Sequence, residues 1–373
     1  MKFSCDRAVL LNGLIIAART AAVKSPIHAL EGLLVETGEA ELSITGYDLK
    51  TGIRTRVPAD IVEEGRLILN AKLIVDIVRK MPDGILSVEA DRNLMTKLSC
   101  GRSHFEIMSE SAEDYPELPA LEEENSFKIQ EKKLKSMIEQ TLFAVATSEI
   151  RPVQTGEKFE VENGTLTIAA VDGYRLAIRS EELEQSDGSE SYSFVVPSTT
   201  LSEASKIAAE REEPATIHLG ARHILLSIGD TEIISRKLEG EFLDYRKHIA
   251  VLSKYCLKVS RRRLQESVER VSLIINEKYK APIRCSFGEN CVELSTATGL
   301  GKSRDICQLE GTAENLEIGF NDRYILDALR AAPDDELNLY LTNGSSPCIL
   351  KPTDESGRFL YLILPVRLHS EGK

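Results

Sequence analysis

The 373-residue chain has no apolar stretch of the roughly 20 residues that a membrane-spanning helix needs. Its longest apolar runs, Leu14 to Ala18 and Phe359 to Pro365, are far shorter. Met1-Lys2-Phe3 leads straight into fold-like sequence with no signal-peptide core, so the expectation is a cytoplasmic protein without a membrane partner. None of the seven cysteines (Cys5, Cys100, Cys256, Cys285, Cys291, Cys307, Cys348) forms a C-x-x-C pair, and the six histidines show no ligand spacing. Such a scattered set in a cytoplasmic chain reads as reduced and buried, with neither disulfide framework nor metal site.

Enzyme signatures are missing too. There is no G-x-S-x-G, no H-E-x-x-H and no carboxylate cluster with an associated histidine. Gly299-Leu300-Gly301-Lys302-Ser303 resembles the end of a P-loop, but the first glycine that motif requires falls at Thr296. A turn between strands is the expected use of these residues. Neither catalysis nor a cofactor is expected.

What the sequence does contain is a threefold repeat. Phe3-Ser4-Cys5-Asp6-Arg7-Ala8-Val9-Leu10, Phe127-Lys128-Ile129-Gln130-Glu131-Lys132-Lys133-Leu134 and Leu257-Lys258-Val259-Ser260-Arg261-Arg262-Arg263-Leu264 share one pattern. An alternating strand-like run gives way to charges and then to a leucine that opens an amphipathic segment. The leucines lie 124 and 130 residues apart, a domain's length rather than a solenoid unit's. A second landmark keeps the period. Asn70-Ala71-Lys72, Pro197-Ser198-Thr199 and Asn321-Asp322-Arg323 each follow an apolar run and carry helix-start residues. Domains are therefore expected at 1–121, 126–249 and 251–368, with linkers around Leu121-Glu122-Glu123-Glu124-Asn125 and Ala250-Val251.

Within each copy the pattern reads helix, strands, helix, strands. Helices are expected over about Asp6–Thr20, Ala71–Met81, Glu131–Ala146, Ser198–Glu210, Arg261–Asn276 and Asn321–Ala332. In the first, Val9, Leu10, Gly13, Leu14 and Ala17 share the expected apolar face. The fold class is α+β, two helices per copy on antiparallel sheets. Charge divides along the same lines. The chain carries −13 overall, yet the helices with their adjoining residues (6–20, 70–80, 131–146, 198–211, 260–280 and 321–332) carry +7 and the remainder −20. Acidity argues against a protein that coats DNA with its whole surface; it points instead to a basic helical side and an acidic sheet side.

Asp172-Gly173-Tyr174-Arg175-Leu176-Ala177, Phe242-Leu243-Asp244-Tyr245-Arg246 and Leu364-Pro365-Val366-Arg367-Leu368, on this threefold repeat, resemble the bacterial sliding clamps, the beta subunits of DNA polymerase III. Arg151-Pro152 with Thr155-Gly156 is a weaker match of the same kind. The resemblance covers essentially the full length. It implies a head-to-tail homodimer forming a ring around duplex DNA, with helices lining the hole. It implies no catalysis, and as partners a clamp loader, the replicative DNA polymerase and other proteins bearing a clamp-binding motif. Arg19, Lys24, Arg79, Lys80, Lys278, Tyr279 and Lys280 are then the DNA-facing candidates, through sequence-blind phosphate contacts.

The family's second site is a pocket for partner peptides between the second and third domains. Carried over, it comprises Gln154, Val171, Gly173, Tyr174, Arg175, Leu176, Leu243, Lys247, His248, Leu362, Leu364, Pro365, Val366, Arg367 and Leu368. Apolar walls would exclude water from an anchor side chain, and Arg175 and Arg367 would orient the peptide or its carboxylates. Gln154 stands where an apolar residue is usual, Tyr174 at a histidine position and Leu243 at a proline position. His248 replaces a β-branched residue, Val366 a methionine, and His369 to Lys373 extend past the usual end. Two other readings stay open: a nucleotide-dependent enzyme using Lys302, and a scaffold that keeps the pocket without forming a ring.

Overall fold

The computed structural model describes residues 1–122, 125–183, 191–249, 253–354 and 356–368. Glu123 and Glu124 of the first expected linker, Ala250 and Val251 of the second, and His369 to Lys373 lie outside the described residues.

Seven α-helices are seen among the described residues: α1 Arg7–Ala17, α2 Ala71–Lys80, α3 Glu131–Thr141, α4 Ser198–Ile207, α5 Arg246–Ile249, α6 Arg261–Ser272 and α7 Asp322–Ala331. Six begin within a residue of their expected starts. Asp6 accepts from the N–H groups of Ala8 and Val9, Asn70 from Leu73, and Asn321 from Arg323 and Tyr324. They end earlier than periodicity suggested. Ala18–Thr20 and Leu142–Ala144 tighten into 3₁₀ turns, so α1 and α3 stop short of Thr20 and Ala146. Val9 is another correction: it is exposed, on the flank of the stripe made by Leu10, Gly13, Leu14 and Ala17. The four-residue α5 was not expected.

The chain forms two compact units: Met1–Lys135 with Ser202–Lys237, and Ser136–Leu201 with Leu238–Lys373. In the first, a five-stranded sheet runs Asp60–Glu63, Lys2–Asp6, Ile85–Ala90, Met95–Cys100, Ser103–Met108. A nine-stranded sheet joins first-repeat strands to Thr231–Arg236, His223–Ile228, Pro214–Leu219 and Asn125–Gln130 of the middle repeat. The seam is the pair Thr51–Pro58 with Thr231–Arg236, in which Ile53 faces Ile233. Leu10 and Leu14 of α1 and Ile74 and Val78 of α2 pack with Leu33, Ile44 and Leu86 into one core.

In the second unit a ten-stranded sheet joins the rest of the middle repeat to the third. Its seam pairs Arg175–Glu182 with Phe359–Ile363, Leu176 facing Leu362 and Ala177 facing Tyr361. Leu264 and Val268 of α6 and Ile325 and Leu329 of α7 pack beneath with Phe359 and Tyr361. All strand pairs described are antiparallel. Gly299-Leu300 forms the hairpin turn between Ile283–Thr298 and Gly301–Phe320, with Thr298 paired to Gly301. The glycine-lysine segment is thus a turn between strands and not a phosphate loop. Five of the seven cysteines are buried, but Cys256 is exposed and Cys291 half-buried, so the expectation of burial fails at those two.

Candidate peptide pocket and DNA-facing residues

The pocket candidates gather around the turn before the second unit's seam. Asp172 accepts hydrogen bonds from the N–H groups of Tyr174 (2.9 Å) and Arg175 (3.0 Å). Gly173 completes the turn with φ +91°, a conformation that favours glycine. This geometry turns Tyr174 outward, leaving it 60% exposed, while its carbonyl accepts from the N–H of Leu364 at 2.8 Å. The chain then continues to Val366, whose N–H donates to the Gly319 carbonyl at 2.7 Å. A Cβ on Gly319 would lie 2.5 Å from the Val366 oxygen, so this approach requires glycine.

Below the turn, strand alternation sends Val171, Leu176 and Leu362 into a buried apolar cluster with Val153, Phe242, Tyr245, Ile349 and Leu360. They form its base. Leu243 is half-buried against that cluster, and Leu364 and Val366 are 37% and 38% exposed. These three are the apolar groups an incoming side chain can reach. Val366 also lines a cleft of about 740 Å³ with Ile275, Asn276, Lys280, Asn321 and Tyr324.

Several candidates do something other than expected. Arg175 is a brace: its Nε donates to Asp172 (2.9 Å) and its Nη1 to Asp327 of α7 (2.5 Å). Its guanidinium lies 4.6 Å from the Tyr324 ring centre and 5.4 Å from that of Phe143. With both partners internal, it ties the turn to α7 and is not a free receptor for a peptide carboxylate. Arg367 is exposed and Pro365 and Leu368 are half-buried, Leu368 lying close to Gly319. Gln154 is buried in a 3₁₀ turn over Pro152–Thr155, but its neighbour Val153 supplies the apolar contact. The missed residues are Val153, Phe242 and Tyr245, together with Asn321 and Tyr324 in the cleft. Asn321 was legible only as a helix cap.

The segment carrying Leu243, Lys247 and His248 is held from beneath by an ionic group. Glu160 accepts from the Tyr245 hydroxyl in a short hydrogen bond and lies 2.8 Å from Lys158 and 3.5 Å from Arg246. Burial works to raise the Glu160 carboxyl, but hydrogen bonds from Lys158 and Tyr245 and the charges of Lys158 and Arg246 hold it below its usual range. Lys247 is exposed and pairs with Asp244 at 2.9 Å, and His248 is exposed.

The basic candidates divide by partner. Arg19, in the turn after α1, bonds Glu203 at 3.0 Å, and Arg79 bonds Asp76 one turn back at 3.2 Å. Lys132 and Lys135 of α3 pair with Glu212 and Glu210 at 2.6 and 3.2 Å, so their charge is largely answered at home. Lys24, Lys80 and Lys280 are exposed, with no ion pair among the described residues. Arg79 and Lys80 also sit at the C-terminal end of α2, where the helix dipole favours cations. Asn276 accepts from the N–H groups of Lys278 and Tyr279, shaping the loop that exposes Lys278. Tyr279 is half-buried. A Cβ on Gly299 would lie 2.7 Å from its ring, which identifies Tyr279 as a packing residue of the hairpin turn rather than a free aromatic contact.

Comparison with known proteins settles the family. The N-terminal, central and C-terminal domain profiles of the DNA polymerase III beta subunit match residues 1–119, 128–244 and 252–367. The chain belongs to that family. It is a sliding clamp: a processivity factor that works with DNA, as a dimer, with the polymerase and other clamp-binding proteins, and is not itself an enzyme. The beta sliding clamp of Halalkalibacterium halodurans is 31% identical over 381 residues, covering 99% of this chain and 100% of the relative. The crystal structure of the Bacillus subtilis clamp matches with a TM-score of 0.92 at 29% identity, over 99% of this chain and 100% of that one. A Pseudomonas aeruginosa clamp bound to griselimycin matches with a TM-score of 0.93 at 27% identity, over 99% and 100%. No helix among the described residues of this clamp is long and apolar enough to cross a membrane.

Proposed function

We propose that this clamp acts in the cytoplasm through two surfaces built on domains at 1–121, 126–249 and 251–368. One receives partner peptides at Leu243, Leu364 and Val366 over the base of Val171, Leu176 and Leu362. Tyr174, Pro365 and Leu368 frame it, Gly173 and Arg175 shape it, and Gln154, Lys247, His248 and Arg367 lie around it. The other meets the DNA backbone through Lys24, Lys80, Lys278 and Lys280, with Arg19 and Arg79 contributing as their carboxylate partners allow. The observation that carries the pocket is a buried apolar cluster whose rim, at Leu243, Leu364 and Val366, stays partly open. An apolar anchor entering there is removed from water without displacing a charged partner.

The lysines are tested on short linear duplex DNA at low salt, where topology contributes nothing. Replacing Lys24, Lys278 and Lys280 together by alanine is expected to weaken binding independently of sequence. For each lysine that neutralises a phosphate in the parent, its removal makes the slope of log K against log salt shallower by about 0.9. An unchanged slope would remove these residues from the DNA-facing set.

A further inference from the structure

We propose that Glu160 is a positioning residue for the peptide pocket, and this rests on the pocket reading given above. The segment 239–249, which presents Leu243, lies outside every sheet described. Leu238 is hydrogen-bonded to the Val195 carbonyl at 2.9 Å, but beyond it Tyr245 donates to Leu243 and His248 to Tyr245, both within the segment. From Phe242 to Ile249 the described attachment to the sheet is made by side chains. Phe242 and Tyr245 are the buried anchors, and the Tyr245 hydroxyl ends on the Glu160 carboxylate.

Glu160 also gathers the two cations that flank those rings. The Lys158 ammonium lies 5.9 Å from the Phe242 ring centre and 5.8 Å from that of Tyr245. Arg246, the first residue of α5, reaches Glu160 at 3.5 Å and Glu162 at 3.2 Å. One carboxylate on the strand Gly156–Glu162 thus fixes both the entry to α5 and the residue two places after Leu243. Charge-assisted hydrogen bonds of this kind hold geometry more tightly than apolar contact, which tolerates sliding. Loosening them would let Leu243 leave the rim while the cluster beneath stays packed. Glu160 itself is buried, so it acts on the rim through Tyr245 and Arg246.

The test measures binding of a fluorescein-labelled peptide carrying the clamp-binding segment of the cognate polymerase, at one temperature well below unfolding. Glu160→Gln, which removes the charge, and Tyr245→Phe, which removes the hydroxyl donor, are each expected to raise Kd about five- to tenfold, and the double variant to lose clearly less than the two effects combined, because both act on one charge-assisted group. Glu160→Asp, which keeps the charge, is expected to recover part of the loss. Amide exchange over 242–249 should quicken in both single variants while that of the strand Thr165–Val171 does not. Once loaded, both variants should be retained on closed circular DNA as the parent is. Tyr245→Phe keeps the buried ring and removes only the hydroxyl, so it reads the same link should the glutamine variant fold poorly. If Leu243→Ala weakens binding but Glu160→Gln and Tyr245→Phe bind as tightly as the parent, the positioning role is overturned. Additive losses in the double variant would overturn it as well. If the parent does not bind the peptide, or Leu243→Ala has no effect, it is the pocket reading that fails.

Discussion

Leu364→Asp is expected to weaken partner-peptide binding by about a hundredfold or more, with little change in folding. Leu364 is 37% exposed, so the free protein can leave the new carboxylate in water. Its backbone N–H keeps its bond to the Tyr174 carbonyl, since aspartate retains that donor. Binding would then press the carboxylate against an apolar anchor and strip it of water. Arg175, the nearest guanidinium in the turn, already serves Asp172 and Asp327. Stranding a polar or charged group in this way costs about 3 kcal/mol or more, and each 1.4 kcal/mol is about tenfold in Kd. Leu364→Met, which conserves volume and polarity, should change Kd by less than about threefold. Fluorescence anisotropy with the labelled polymerase segment reads both. Tight binding by the aspartate variant would place the anchor site elsewhere.

Glu157→Gln is expected to stabilise the protein at alkaline pH by several kcal/mol. Glu157 is fully buried, and burial pushes its carboxyl up from 4.5 to about 8, partly opposed by the 2.8 Å hydrogen bond from the Thr141 hydroxyl. Its second oxygen has no hydrogen-bond partner among the described residues. The folded state therefore holds a proton that the unfolded chain releases near pH 4.5. The stability this provides is complete below that pH and is lost progressively as pH rises through about 8. Glutamine fills the same space without titrating, and its carbonyl can still accept from Thr141. At pH 9 the variant should exceed the parent by on the order of 4 kcal/mol, or roughly 10 °C in Tm. Near pH 4.5 the two should converge. Thermal melts across pH 5 to 9 test this, and parallel curves for the two proteins would show that Glu157 does not titrate in this range.

How much of this was legible in the sequence follows from how local each cause is. Helix starts were readable because a cap acts over three residues: Asp6, Asn70 and Asn321 each bond the N–H groups just after them. Helix ends were less so, because the 3₁₀ turns at Ala18–Thr20 and Leu142–Ala144 are not marked by apolar periodicity. A helix of four residues such as α5 is too short to show any period. The repeat landmarks were clear, yet the compact units do not follow them. Strand pairing carries Thr51–Pro58 onto Thr231–Arg236 and Arg175–Glu182 onto Phe359–Ile363, dividing the middle repeat between two sheets. Nothing in a single strand's alternation announces its partner. The pocket candidates came from resemblance, and one-residue distinctions were beyond it: Val153 rather than Gln154 joins the apolar cluster. The internal role of Arg175 depends on Asp327, 152 residues away.

Retention on DNA tests the central claim most directly. The protein is loaded onto nicked circular DNA by its cognate loader with ATP, then passed through gel filtration in high salt, with a portion of the circles linearised first. A protein held by phosphate contacts alone loses affinity steeply as salt rises, whatever the DNA's topology. A clamp that encircles DNA stays on the closed circles through the salt and is lost from the linear ones. Equal loss from both, with a well-behaved clamp retained in parallel by its own loader, would contradict the account.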